Sequence, residues 1–244
     1  MVMRSVFLLL AFLLPLYSGV KKERSGPFGS FITPPDAPTI VLDPGHGGTD
    51  RGARAKAPFC EEKRVSLLTA RLVKKYLDQL GYHVVMTRNT DDFIPLSRRV
   101  EIASQAGSAA FVSIHYNASR NADAQGIEIF FYDSKEHRSR STASKKLADA
   151  ILPRLIRRTQ SPSRGVKKGN FYVTRETSMP AILIEGGFIS NPKERTLLKN
   201  REYQEKLSRG IADGIDQYFK SRWHAAAFKP KTKAKDNAVA MRKY

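Results

Sequence analysis

Apolar residues along this chain follow two alternating periods, one typical of buried strands and the other of amphipathic helices. Short apolar runs predict strands at residues 39–42, 82–87, 109–115, 127–132, 171–174 and 180–185. Apolar residues three or four positions apart predict helices at residues 61–80, 96–106, 135–158 and 202–219. Residues 160–170, rich in Ser, Lys and Gly, are predicted to form a loop. Strands that alternate with helices indicate one α/β domain with a mostly parallel sheet.

The N-terminal segment differs from the rest of the chain. Arg4 is followed by an apolar run from Val6 to Tyr17, which is too short to span a bilayer and is typical of a signal peptide. Residues 1–19 are therefore predicted to be a signal peptide or, because the cleavage motif is poor, an N-terminal anchor. The polar, proline-bearing residues 20–37 are predicted to be a linker. A single cysteine excludes an internal disulfide, and export with a lone thiol favours the periplasm.

The remaining 38–222 would form the domain, and its charge suggests an anionic partner. The chain has 244 residues and a formal net charge of +19, and a basic surface attracts polyanions. Nucleic acid is not expected, because interleaved aromatics and recognition motifs are absent from the sequence and the N-terminus resembles an export signal. Residues 223–244, with lysines at alternating positions, are predicted to be a disordered tail. We expect this tail to make weak, salt-dependent contact with anionic membrane or wall polymer.

Residues able to bind a metal or carry a proton cluster where the predicted elements begin and end. His46 follows the first strand in a turn made of glycines, and His115 and Glu185 end two later strands. Glu62 lies in the first turn of the first helix. Two imidazoles and one carboxylate would leave one position of a tetrahedral Zn²⁺ open for water, as in catalytic zinc sites. A second carboxylate must then move the proton, and Glu185, beside two glycines, is the better candidate.

Several neighbouring residues leave alternatives open. Glu61 is adjacent to Glu62 and could replace it as the ligand, and Cys60 borders both, although such a site needs no thiolate. Asn117 and Arg175 are predicted to border the site and contact the substrate, with a structural role as the alternative for each.

Six motifs, in one order, carry a family resemblance. They are Val41-Leu-Asp-Pro-Gly-His-Gly-Gly-Thr-Asp-Arg-Gly-Ala53, Glu62-Lys-Arg-Val-Ser-Leu67, Thr87-Arg-Asn-Thr-Asp-Asp92, Leu96-Ser-Arg-Arg-Val100, Phe111-Val-Ser-Ile-His-Tyr-Asn-Ala118 and Pro180-Ala-Ile-Leu-Ile-Glu-Gly-Gly-Phe-Ile-Ser-Asn191. From residue 39 to about 219 the chain resembles the zinc-dependent N-acetylmuramoyl-L-alanine amidases of the Amidase_3 type.

The resemblance implies a twisted sheet of about six strands with helices on both faces. It implies one zinc ion, held by His46, Glu62 and His115, with Glu185 as the catalytic carboxylate. It also implies that the substrate is peptidoglycan and that the bond cut joins the lactyl group of muramic acid to L-alanine of the stem peptide. A role in cell-wall remodelling, cell separation or division follows, and we expect a monomer.

Three other functions compete with this one. A catalytically inactive relative would hold glycan strands, but Glu185 is present; nucleic-acid binding rests on charge alone; and a zinc peptidase acting on the stem peptide would use the same chemistry. In some members of the family an inserted helix blocks the zinc until an activator displaces it. The interval from His115 to Glu185 is filled by predicted elements, with Glu136 as its one spare acidic residue near a helix start. We therefore expect an open site that is active without a partner.

Overall fold

The computed structural model describes residues 37–227, with side chains described as far as residue 221. The strands of its main sheet are β1 (Thr39–Pro44), β4 (His83–Met86), β5 (Ala110–Asn117), β6 (Ile127–Phe131), β7 (Ser163–Lys168) and β8 (Ala181–Phe188). Their spatial order is β4-β1-β5-β8-β6-β7. The first four of these run parallel, whereas β6 is antiparallel to β8 and parallel to β7. This confirms the predicted α/β domain with a mostly parallel sheet.

Helices cover both faces of this sheet. They are α1 (Glu62–Gln79), α2 (Leu96–Gln105), α3 (Arg138–Thr159), α4 (Tyr172–Glu176), α5 (Pro192–Lys199) and α6 (Arg201–Ala227). Successive strand residues face opposite sides. Ile40 and Ile114 therefore join the larger core under α1, α3 and α6. Val41 and Phe111 join a smaller core under α2 and α4. No helix between residues 37 and 227 is long and apolar enough to cross a bilayer.

Two predicted elements between residues 160 and 174 are wrong. The predicted loop 160–170 contains β7, whose Ser-Arg-Gly-Val-Lys-Lys sequence lacks an apolar run because it is the edge strand of the sheet. Edge strands are commonly charged, and β7 is held by backbone pairing with β6. The predicted strand 171–174 is instead the short helix α4, whose Val173 enters the smaller core.

Other elements were not predicted. The loop 49–60 contains a small hairpin of β2 (Arg54–Ala55) and β3 (Cys60–Glu61). The helix α5 begins after Asn191, whose side chain accepts bonds from two backbone N–H groups of the first turn. The helix α6 continues past the predicted domain end at 222, to Ala227. The predicted signal segment, nearly all of the linker and the tail beyond 227 lie outside the described residues.

Candidate active site

The turn after β1 places His46 at the end of the sheet where the carboxyl ends of β5 and β8 also lie. His46 has a left-handed φ of 60°, a conformation that is strained in a residue with a side chain. Gly45 allows the turn to pass against His115, because a Cβ at this position would lie 2.3 Å from the His115 ring. As a result, the two imidazole rings lie with their centroids 4.9 Å apart.

Two buried arginines hold this strained turn by its backbone. Arg99 donates to the carbonyl oxygens of Pro44 (2.8 Å) and His46 (2.7 Å), and Arg88 donates to those of Pro44 (3.0 Å) and Gly45 (2.7 Å). Arg99 also forms a fully buried ion pair with Asp43 at 2.7 Å. A strained conformation persists where its surroundings over-determine it, and these bonds supply that constraint. The sequence motifs around residues 87–92 and 96–100 thus support the turn that carries His46.

Replacing Arg99 should loosen the turn. Arg99→Met leaves Asp43 buried without its cation, so we expect about 3 kcal/mol of lost stability and weaker metal binding. Arg98→Met is the matched control, since the neighbouring Arg98 is exposed and pairs with Glu101 on the surface. Urea unfolding and zinc titration of both variants would measure this. Equal behaviour of the two variants would show that Arg99 does not support the turn.

Glu62 brings the two histidines together at one point. Its Oε1 lies 3.0 Å from Nε2 of His46 and 2.9 Å from Nδ1 of His115. The backbone N–H of Tyr116 donates to the same oxygen, and that of Ala53 donates to Oε2 at 2.8 Å. The ligand atoms of His46, Glu62 and His115 all lie within 4.8 Å of one another.

The charges at this cluster suit a cation. Burial acts to raise the pKa of Glu62, but the bonds from His115 and His46 outweigh burial and hold that pKa far below its usual value. Burial acts to lower the pKa of His46, but its contacts with Glu62 and Asp50 raise the pKa overall. Nδ1 of His46 lies 2.8 Å from Asp50, which directs Nε2 towards Glu62. A carboxylate behind a histidine is the usual second partner of a metal ligand.

Glu61 and Cys60 face away from the cluster. The carboxylate of Glu61 accepts hydrogen bonds from Arg51, and its side chain is almost fully buried. Cys60 packs in the larger core, and burial raises the pKa of its thiol. Of the two adjacent glutamates, therefore, only Glu62 reaches the histidines.

Glu185 stands beside the cluster as a second carboxyl. It pairs in register with His115 across β5 and β8, so the two side chains share one face of the sheet. Its Oε2 is buried and has no hydrogen-bond partner among the described residues. Burial, together with the negative charges of Glu62 and Glu128, raises the pKa of Glu185 well above its usual value. A cation bound near these carboxyls would offset the repulsion between their negative charges. The donor set of two imidazoles and one carboxylate is one that fits Zn²⁺.

The two residues predicted to contact the substrate lie at different ends of the sheet. Asn117 lies near Glu185, at the end of β5, and donates to Glu128 at 2.8 Å. Arg175 is not at the site. It bonds to Glu176 and Asn170 beside the start of β8, at the opposite end from Glu185. The physical reason is that β6 and β7 run antiparallel to β8. The segment after β7 therefore lies at the end of the sheet where β8 begins.

The helix that could have blocked the site lies elsewhere. The predicted helix 135–158 is α3, whose Leu147 and Ile151 pack with Ile127 and Ile129 in the larger core. The side chains of His115 and Glu185 alternate with residues of that core, so α3 lies on the opposite face of the sheet. Among the described residues of the interval between His115 and Glu185, no helix lies across the cluster.

Comparison with known proteins gives a consistent result. Residues 40–217 match the Amidase_3 family model, described as N-acetylmuramoyl-L-alanine amidase. The chain is 35% identical over 184 residues to "Probable cell wall amidase LytH" of Staphylococcus epidermidis, covering 75% of this chain but only 59% of that relative's length.

Solved structures agree with the family match. The catalytic domain of the amidase CwlV from Bacillus (Paenibacillus) polymyxa var. colistinus is 37% identical, with a TM-score of 0.70. The N-acetylmuramoyl-L-alanine amidase of Clostridium difficile 630 is 35% identical, with a TM-score of 0.72. The two alignments cover 75% and 76% of this chain and 98% of each structure. In sequence and in fold, this chain belongs to the Amidase_3 family of N-acetylmuramoyl-L-alanine amidases.

Proposed function

We propose that this protein is a zinc-dependent amidase that hydrolyses the bond between the lactyl group of N-acetylmuramic acid and L-alanine of the stem peptide in peptidoglycan. The observation that carries the proposal is the convergence of His46, Glu62 and His115 within 4.8 Å, with the carboxyl of Glu185 beside them. The family match and the relatives that are named amidases support the choice of bond.

The chain's own residues divide the chemistry between them. His46, Glu62 and His115 would hold the metal, which when bound polarises the carbonyl and acidifies a water molecule. Glu185 takes a proton from that water and returns it to the leaving nitrogen. Asp50 orients the ring of His46, and the N–H groups of Ala53 and Tyr116 fix the carboxylate of Glu62. The ligand positions are therefore set before the metal arrives.

We also propose that the protein acts outside the cytoplasm, in the periplasm, as a monomer engaged in cell-wall remodelling. Peptidoglycan lies outside the cytoplasm, and the relative from Staphylococcus epidermidis is named "Probable cell wall amidase LytH". The apolar run after Arg4 supports export.

A pair of soluble substrates separates an amidase from the alternative, a zinc peptidase. The protein should split N-acetylmuramoyl-tripeptide into N-acetylmuramic acid and the tripeptide, and it should leave the free tripeptide intact. Mass spectrometry of both reactions identifies the bond. Cleavage inside the free tripeptide would favour the peptidase.

The open cluster predicts activity without an activator. Because α3 lies on the opposite face of the sheet, the purified, zinc-loaded protein should digest peptidoglycan on its own. A fall in the turbidity of a peptidoglycan suspension, as soluble fragments are released, measures this activity. A protein that stays inert until a second protein is added would contradict the prediction.

A further inference from the structure

A row of three side chains extends from the metal cluster across the sheet. His115 pairs with Glu185, and Glu185 pairs with Glu128 on the antiparallel strand β6. Directly paired residues share a face, so the row continues on the side of Glu185 away from the histidines. The next strand offers Gly165 opposite Glu128, which leaves no Cβ in the row at that point.

Two cationic side chains from β7 bind the carboxylate of Glu128, at the end of this row. Arg164 Nε donates to Oε2 of Glu128 at 3.0 Å, and Lys167 Nζ donates to the same oxygen. Asn117 donates to the other oxygen of Glu128. Glu128 is 4% exposed, whereas the side chains of Arg164 and Lys167 are 37% and 40% exposed. Lys167 has three N–H donors, of which Glu128 accepts one, so the other donors are left for a second acceptor.

The side chains around Glu128 are partly exposed, although Glu128 itself is buried. The helix that packs on β6 and β7 is α3, which lies on the opposite face. On the row's own face Phe130 is only partly buried, and Phe171 contacts it edge-on with ring centroids 5.2 Å apart. The surface beside Glu185, which we call the shelf, therefore consists of the aromatic rings of Phe130 and Phe171 with the cations Arg164 and Lys167 next to them.

The chemistry of the amide orients the substrate on this shelf. Glu185 returns a proton to the leaving nitrogen, so that nitrogen lies beside Glu185, and a peptide that continues away from the histidines passes over Glu128 towards β7. The strand β7 lies two strand spacings, about 10 Å, from β8. Two residues of extended peptide span about 7 Å, and the lysine side chain reaches part of the remaining distance.

We propose that Lys167 and Arg164, held in place by Glu128, form a subsite that binds a free carboxylate on the second residue of the stem peptide. Resting on the amidase function proposed above, this inference adds a substrate preference. The enzyme favours stem peptides whose second residue keeps its carboxylate over those in which it is amidated. Lys167 binds the carboxylate directly, and Glu128 is a positioning residue.

A matched pair of substrates tests the subsite. N-acetylmuramoyl-L-alanyl-γ-D-glutamyl-L-lysine and N-acetylmuramoyl-L-alanyl-D-isoglutaminyl-L-lysine, in which the γ-carboxyl of the second residue is taken up in the peptide bond to lysine, differ only by a carboxylate against a carboxamide on that residue. We expect kcat/KM of the zinc-loaded full chain to favour the acid about 10-fold or more, the size of a charge-assisted bond. Lys167→Met should remove most of that preference, and Lys167→Arg should keep it. Lys168→Met is the control, because Lys168 points to the other face and pairs with Asp133.

The ratio of the two substrates separates recognition from general damage. A change in the field at Glu185 would alter both rates together, whereas loss of the subsite alters their ratio. Equal rates of the wild-type protein on both substrates, or an unchanged ratio in Lys167→Met, would overturn the subsite while leaving the amidase intact. If neither substrate nor peptidoglycan is cleaved, the amidase function itself fails. Calorimetry with L-alanyl-γ-D-glutamyl-L-lysine and L-alanyl-D-isoglutaminyl-L-lysine then decides the subsite: equal affinities would overturn it.

Discussion

Glu185→Gln should bind Zn²⁺ as the wild-type protein does and hydrolyse the muramoyl–alanine amide at least about 10³-fold more slowly. A neutral amide of the same shape cannot accept a proton, and removing a general base typically reduces rates by 10² to 10⁴. Metal binding is retained because His46, Glu62 and His115 make up the ligand set without Glu185. Metal analysis together with single-turnover rates measures both quantities. A wild-type kcat in this variant would show that Glu185 is structural.

The stability of the same variant supplies a control that does not depend on catalysis. Burial and the charges of Glu62 and Glu128 raise the pKa of Glu185 in the folded protein. A carboxyl whose folded pKa is raised destabilises the fold once the pH exceeds its unfolded pKa of about 4.3. In metal-stripped protein at pH 7, Glu185→Gln should therefore raise the thermal midpoint by about 2 °C or more. The difference should disappear near pH 4, and a lowered midpoint at pH 7 would point to a packing role.

His115→Ala should lose both the metal and the activity. It removes one of three ligands and leaves the carboxylate of Glu62 with one imidazole partner, so we expect Zn²⁺ affinity to fall more than about 100-fold. Hydrolysis should fall with it, because the metal supplies both the acidified water and the polarised carbonyl. His83→Ala is the matched control, since His83 is exposed on β4 away from the cluster.

Chelation of the wild-type protein completes this comparison. Removing the metal should abolish hydrolysis, and added Zn²⁺ should restore it. The same addition should restore little activity to His115→Ala at equal concentration. If His115→Ala binds and responds to zinc like His83→Ala, His115 is not a ligand.

The sequence predicted the elements that carry the metal cluster because their signals are local. Glycines after an apolar run identify the His46 turn, and His115 and Glu185 end apolar runs of their own. The choice between Glu61 and Glu62 as the metal ligand required the three-dimensional structure. Adjacent residues at the β3–α1 junction point in different directions, and only the fold shows that Glu61 faces Arg51.

The wrongly predicted loop and strand and the misplaced Arg175 all belong to the part of the sheet beyond β8, where β6 and β7 pair. The strand β7 has no apolar run because it is an edge strand, so its charged sequence was predicted to be a loop. Nothing local to the sequence indicates that β6 runs antiparallel to β8, and this reversal sends Arg175 to the far end of the sheet. It also brings Glu128 beside Glu185. Buried charges such as Glu128 and Arg99 depend on partners distant in sequence, so composition alone cannot locate them.

Mass spectrometry of purified peptidoglycan digested by the metal-stripped and the zinc-reconstituted protein tests the zinc amidase most directly. The predicted result is glycan strands with unsubstituted muramic acid and peptides with a free L-alanine amino terminus, formed only with zinc. Fragments cut within the peptide or the glycan, or the same products at full rate from metal-stripped protein, would contradict it.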